Sequence, residues 1–455
     1  MSYLAIDIGA SSGRHIVGDI VDGKLVCEEI YRFPNGAIRR DDGSMVWEHE
    51  RLFAEVLNGL KEAKTRGKTI DYIAIDTWGV DYALLDDEDK IIGDLRCYRD
   101  ARGEKATAKV HDLIPFEELY RHTGIQFAPF NTIYQLYDDV CTGKLAKAKT
   151  FLMLPDYLNF LLTGVKKQEY TNATTTGLLN AKTHDWDEEI FRKLGLPREI
   201  FLSPTQPSSV VGPLKKEIAE LLGYEATVLL PATHDTASAI LAAPIAFGEP
   251  YLSSGTWSLL GVEEKSAHTE NLAREYNYSN EGSVNYSFRF QKNIVGLWMI
   301  QQVRHELNDA YSFAEIARLA AENPTEKTLN VEDPCFLAPV SMIEEIKKQI
   351  GDVPLGELFY SVYRSLALCY RDSLRQLESL TGKTYESLHI VGGGANNRLL
   401  NELTAKECGI PVYAGPSEAT AIGNLLAQLL ATKTIDNIEE GRKLVASSFP
   451  LDEVR

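Results

Sequence analysis

Tyr3-Leu4-Ala5-Ile6-Asp7-Ile8-Gly9-Ala10-Ser11-Ser12-Gly13-Arg14 opens the chain, and its reading decides the fold. Tyr3 to Ile6 is an apolar run of strand length. It breaks into a small-residue turn through Asp7 to Gly13. A second strand pattern, Ile16 to Ile20, follows at once, and Asp22-Gly23 offers another hairpin turn before Leu25 to Ile30. Sequential hairpins predict a β-meander. Leu52 to Lys64 then reads as an amphipathic helix with Leu52, Val56, Leu60 and Ala63 on one face. Ile70 to Thr77 is an apolar strand ending in polar residues. Strand–helix–strand of this kind predicts an α/β domain with a mixed sheet.

The middle of the chain is more helical, with short helices expected at Asp156–Leu162, Ile190–Leu194 and Leu214–Leu222. A strand, Ala226 to Leu230, leads into Pro231-Ala232-Thr233-His234-Asp235-Thr236. Around Pro244 to Pro250 the pattern restarts. Tyr251-Leu252 precedes Ser253-Ser254-Gly255-Thr256, and Trp257 to Val262 follows as a strand. This echoes the opening turn, although two hairpin turns can also agree by chance. Leu388 to Val391 reads as a buried strand, followed by Gly392-Gly393-Gly394 and a helix from about Asn396 to Cys408. Gly409 and Pro411 end that helix. Ala419 to Ala431 reads as the last helix. The expected domains are 1–243 and 244–455.

Composition excludes several roles. With 47 Lys+Arg against 65 Asp+Glu, the net charge of −18 opposes nucleic acid and anionic membrane surfaces. At 44% hydrophobic and 25% charged residues, the chain is an ordinary globular one. The start carries an acid, Asp7, and no basic segment, which is wrong for a signal peptide. Six scattered cysteines without a Cys-x-x-Cys pair point to reduced thiols and a cytoplasmic setting.

Gly67-Lys68-Thr69 and Gly382-Lys383-Thr384 end like a P-loop, but Glu62 and Leu377 occupy the position of its first glycine. Asn397 stands where a dinucleotide fingerprint needs its third glycine. The strand–Gly-Gly-Gly–helix unit still lets backbone approach a ligand and offers free N–H groups; a tight turn is the competing explanation. The two Ser-Ser-Gly tips expose N–H and O–H donors suited to phosphates. Asp7 is placed to hold Mg²⁺ through water, or to cap an Asx-turn. Arg14 is available to neutralise phosphate. Asp235, after a buried strand, is a candidate general base or a helix cap. His234-Asp235 lacks the further histidines of a metal phosphohydrolase. Trp78 offers a flat stacking face, or is core.

The loops Asp7 to Arg14, Ser253 to Thr256 and Val391 to Asn397 resemble the two phosphate loops and the adenosine loop of actin-like ATPases. Within that superfamily the chain resembles, from end to end, an FGGY carbohydrate kinase. The strings Asp76-Thr77-Trp78-Gly79-Val80-Asp81, Thr233-His234-Asp235-Thr236-Ala237-Ser238-Ala239 and Leu252 to Ser258 carry the detailed match. The resemblance implies two actin-like, ribonuclease H-like α/β domains with an interdomain cleft. It implies ATP-dependent phosphorylation of a small-molecule ketose at its 1-hydroxyl, with L-rhamnulose ahead of L-fuculose, xylulose and ribulose. Asp235 is implied as the base; Gly79, His234, Thr236, Trp78, Asp81 and Asn293 as the sugar site. Ala10, Ser11, Ser12, Gly13, Arg14, Thr256, Gln301 and Gly393 are implied for ATP, with Asp7 at the metal. One departure is that Phe130 to Leu136 lacks the lysine usual in the family's first signature, so no phosphate contact is expected there. A non-kinase actin-like ATPase is the alternative class. A sugar-sensing regulator would need a DNA-binding segment. A monomer or small homo-oligomer is expected.

Overall fold

The computed structural model describes residues 1–455 as two compact units. The first comprises residues 1–242, 264–290 and 420–448, and the second 243–263, 291–419 and 449–455.

The first unit is built on a six-stranded sheet in the order Ser209–Pro213, Thr227–Leu230, Tyr72–Thr77, Tyr3–Ile8, Ser12–Val21, Lys24–Pro34. Tyr3–Ile8 is buried along its whole length, which explains its apolar run. It pairs in parallel with Tyr72–Thr77, placing Asp7 opposite Asp76, and antiparallel with Ser12–Val21, placing Asp7 opposite Arg14. The helix His49–Thr65 buries Leu52, Val56, Leu60 and Ala63 in one hydrophobic cluster with Leu4, Ile6 and Ile75. The helix Ala419–Ala431 belongs to this unit from Thr420 onward. Its small residues permit close approach: a Cβ on Gly423 would stand 1.7 Å from the Ser238 carbonyl oxygen. A second cluster gathers Tyr82, Phe151, Trp186 and Phe201.

In the second unit Tyr251–Ser254 runs antiparallel to Trp257–Glu264 and parallel to Leu388–Val391, which continues to Val412–Ala414 and Asp452–Val454. The long helix Leu355–Thr381 ends at Gly382 with φ 67°.

Three expectations are corrected. Ser12 and Gly13 lie in a strand, as do Ser253 and Ser254, because the antiparallel ladders run up to the turns. The first turn is closed by the Gly9 N–H on the Ser12 carbonyl at 2.9 Å. The helix after the glycine run starts only at Arg398, capped by Asn397, and Gly393–Asn396 is a 3₁₀ turn. Ala419–Ala431 is followed by a further helix, Ile438–Ser448, which buries only Gly441, Arg442 and Val445 and so has little apolar periodicity.

Candidate active site

Three carboxylates gather at one edge of the first unit's sheet. Asp7 and Asp76 sit in register near the ends of neighbouring parallel strands, and Asp235 follows Thr227–Leu230, the next strand over. Open α/β sheets place ligands at such carboxyl ends. Asp76 is wholly buried. Its carboxyl is held well above the ordinary range by burial and then by the charge of Asp7. Asn424 donates to its Oδ2 at 2.6 Å, while Oδ1 has no partner. Arg14 donates through Nε and a terminal nitrogen to Asp7 Oδ2, at 2.9 and 2.8 Å. The expected phosphate-neutralising arginine is therefore paired with the expected metal carboxylate.

Asp235 starts the helix Asp235–Leu241, with His234 in the capping position. The loop before it is held by a fully buried acid, Glu169, which accepts from Thr233 N at 3.2 Å and Thr233 Oγ1 at 2.8 Å. Glu169 also caps its own helix through Thr171 N and Asn172 N. Asp235 Oδ1 accepts from Thr236 N at 2.6 Å and Thr236 Oγ1 at 3.3 Å, and the side chain stays 32% exposed. Burial raises the Asp235 pKa, with Asp7 adding to the rise and His234 and Thr236 opposing it. A reachable carboxylate of raised basicity suits proton acceptance from a hydroxyl.

Gly79 packs tightly, since a Cβ there would lie 3.0 Å from the Thr175 methyl. Val80 adopts φ 69°, a strained conformation for a β-branched residue. Its N–H donates to Thr175 Oγ1 at 3.0 Å and its carbonyl accepts from Thr132 Oγ1 at 2.7 Å. Thr132 lies in the lysine-free segment, which thus braces this turn.

Trp78 and Asp81, read from the sequence as sugar-site residues, are both buried in the structure. The Trp78 ring is buried and lies 4.3 Å from that of Trp47, tilted by 43°. Asp81 is fully buried, and its Oδ2 accepts from Trp47 Nε1 at 2.6 Å, Trp78 Nε1 at 2.8 Å and Tyr98 N at 3.2 Å. Two buried indole N–H groups need an acceptor, and Asp81 supplies it. Burial pushes the Asp81 pKa up to about 6, from 3.8. The folded chain thus holds this proton more tightly than the unfolded chain. The associated stability is complete at low pH and is lost as pH rises through about 6, a change of about 3 kcal/mol. Asp81→Asn cannot ionise and escapes that loss. Its stability relative to the unmodified protein therefore improves by about 2 kcal/mol between about pH 4 and pH 7, read from urea midpoints. A pH-independent difference would show that burial does not penalise the Asp81 charge.

In the second unit the structure brings together two residues expected at ATP: Thr256 Oγ1 donates to Gln301 Oε1 at 3.3 Å. The start of helix Trp298–Glu306 is tied to this turn by Leu297 N on Gly255 O and Trp298 N on Thr256 O, both 3.0 Å. The three glycines have different reasons to be there. Gly392 has φ 84°, and a Cβ on Gly394 would collide with Ser254 Oγ at 1.9 Å. A Cβ on Gly393 would meet no protein atom within 4 Å, so packing alone does not explain this glycine. Asn293 lies on the strand Phe288–Val295 with its Oδ1 buried and unpartnered. In the opening loop Ser11 is exposed and Ala10 and Ser12 half-buried, whereas Gly13 is required by Phe33, whose ring atom Cζ would lie 2.1 Å from its Cβ. Sequence reading missed Glu169, Glu281, Arg289 and Asn424. No local pattern reveals them: Glu169 is 64 residues from Thr233, and Asn424 is 348 from Asp76.

Residues 2–242 match the N-terminal domain of the FGGY family of carbohydrate kinases, and residues 251–432 match its C-terminal domain. The chain belongs to the FGGY family and is an ATP-dependent carbohydrate kinase. It is 45% identical to a rhamnulokinase of Halalkalibacterium halodurans, covering 99% of this chain and 98% of that one. It is 43% identical to a rhamnulokinase of Bacillus subtilis, covering 99% and 94%. In fold it is similar to a ligand-bound xylulose kinase from Lactobacillus acidophilus, at TM-score 0.83 and 17% identity, covering 100% of this chain and 93% of that one. It is also similar to Plasmodium falciparum glycerol kinase with ADP, at TM-score 0.80 and 15% identity, covering 100% and 94%. The actin-like α/β fold expected from the sequence is thus present.

Proposed function

We propose that this carbohydrate kinase transfers the γ-phosphoryl group of ATP to the 1-hydroxyl of L-rhamnulose, giving L-rhamnulose 1-phosphate and ADP in L-rhamnose catabolism. Full-length identity to rhamnulokinases supports the ketose. The observation that carries the chemistry is Asp235, a part-exposed carboxylate of raised pKa at the start of a helix whose preceding loop is pinned by Glu169. Phosphoryl transfer needs positioning and charge neutralisation more than covalent help. Asp235 takes the proton of the attacking hydroxyl as bonding to phosphorus develops. With Oδ1 engaged by Thr236, Oδ2 is the atom that serves. His234, Thr236, Gly79 and Asn293 are the residues assigned to the sugar. Ala10, Ser11, Ser12 and the Gly13-Arg14 backbone take phosphate oxygens. Thr256, Gln301 and Gly393 take the nucleotide.

The carboxylates fit a hard divalent cation. Asp7, Asp76 and Asp235 influence one another electrostatically, and Asp76 Oδ1 lacks a hydrogen-bond partner. Asp7 would hold Mg²⁺ through water, and the ion, when bound, supplies charge neutralisation at the phosphates. Cytoplasmic residence belongs to the same proposal and is supported by six free thiols.

A panel of ketoses tests the substrate. With ATP, kcat/KM for L-rhamnulose is expected to exceed that for L-fuculose, D-xylulose, D-ribulose and glycerol by roughly a hundredfold or more, because a mismatched hydroxyl leaves buried polar groups unpaired. A clear lead for xylulose or fuculose would overturn the choice of ketose.

A further inference from the structure

His234 sits between groups that compete for its proton. Its Nε2 is 3.4 Å from Asp235 Oδ1. Its Nδ1 is 3.3 Å from Glu281 Oε2 and 3.1 Å from a terminal nitrogen of Arg289. Arg289 is completely buried. The same terminal nitrogen donates to Glu281 Oε2 at 3.1 Å, and Arg289 Nε donates to the Gly282 carbonyl at 3.2 Å. All these residues belong to the first unit.

We propose that Arg289 is a positioning residue that fixes the proton of His234 on Nε2, so that the imidazole presents a donor toward Asp235 and the ketose. A guanidinium can only donate. Its contact with Nδ1 therefore requires a bare Nδ1, which leaves the hydrogen of a neutral imidazole on Nε2. Glu281 holds the guanidinium in place. If Arg289 is removed, Glu281 is left as an acceptor beside Nδ1 and draws the proton there. Nε2 then becomes a second acceptor facing Asp235, and it can no longer donate to a sugar oxygen. The consequence for turnover rests on the sugar-site reading of His234 and Asp235; the proton position does not.

Long-range proton–nitrogen correlation spectra of protein labelled with ¹⁵N-histidine read the tautomer without any substrate, with His234 assigned by its loss in His234→Gln. At alkaline pH the unmodified protein is expected to show hydrogen on Nε2. Arg289→Met should move it to Nδ1. Arg289→Met combined with Glu281→Gln should return it to Nε2, because the new amide can donate to Nδ1. In kinetics, Arg289→Met should raise KM for L-rhamnulose by roughly tenfold, the value of one hydrogen bond, with KM for ATP unchanged and recovery in the double variant. Should Arg289→Met not fold, the unmodified protein and Glu281→Gln decide, since both keep the arginine and must carry hydrogen on Nε2. Hydrogen on Nδ1 in either, or no tautomer change in folded Arg289→Met, would overturn the proposal. The expected tautomers in a protein that phosphorylates no ketose would instead overturn the functional reading alone.

Discussion

Asp235→Asn lowers kcat for ketose phosphorylation by roughly two to four orders of magnitude while both substrates still bind. The amide keeps the size of the side chain, and its oxygen can still accept from Thr236 N and Oγ1. What is lost is a group able to take a proton. The pKa direction adds a second signature. Burial and the neighbouring Asp7 raise the Asp235 pKa, so the active, ionised form disappears on acidification earlier than for an ordinary aspartate. The acid limb of the kcat profile should therefore lie above the usual carboxylate range in the unmodified enzyme. Stability moves the other way. A carboxylate with a raised folded pKa opposes folding once ionised, so the neutral amide should not lower the unfolding midpoint at neutral pH. A large fall in kcat with an undiminished midpoint is the expected pair of results. Near-normal turnover would return Asp235 to the role of the first residue of its helix.

Gly393→Val is expected to weaken ATP and ADP binding by roughly tenfold or more, about 1.4 kcal/mol, and to leave ketose binding intact. The reason lies in the separate jobs of the three glycines. Gly392 supplies a positive φ and Gly394 makes room for Ser254, so valine at either position strains the fold itself. Gly393 does neither. A Cβ there meets no protein atom within 4 Å, and the protein is expected to fold normally. The β-branched side chain then costs affinity only if a ligand needs that space. Titration calorimetry with ADP, alongside thermal unfolding of both Gly393→Val and Gly394→Val, separates the cases. Unchanged ADP affinity in folded Gly393→Val would mean that the run is a turn with one spare glycine.

The strands and helices with strong periodicity were legible in the residue order. Tyr3 to Ile6 is continuously apolar because the strand is buried along its whole length. Leu52, Val56, Leu60 and Ala63 repeat at helical spacing because one face of His49–Thr65 meets the core. Family strings around Asp235 and Gly393 pointed to a kinase for the same kind of reason: ligand-facing loops are short, local and chemically specific. The element ends were less legible. Ser12, Gly13, Ser253 and Ser254 look like turn residues, yet the ladders continue through them, because a strand's hydrogen bonds depend on its partner and not on its own side chains.

What the sequence by itself determined was the α/β class, the position of its loops and the identity of the carboxylate proposed as base. Only the tertiary structure decided which polar residues are structural. Trp78 and Asp81 stand in a motif that reads as sugar-binding, but the indoles of Trp47 and Trp78 both need the Asp81 oxygen, and that need turns the pair inward. Glu169, Arg289 and Asn424 carry no local signal, since each acts on a residue tens to hundreds of positions away. Such groups become meaningful only when folding removes water from them. A buried charge or amide must then find its partner wherever the chain has placed one, and sequence distance does not enter that balance.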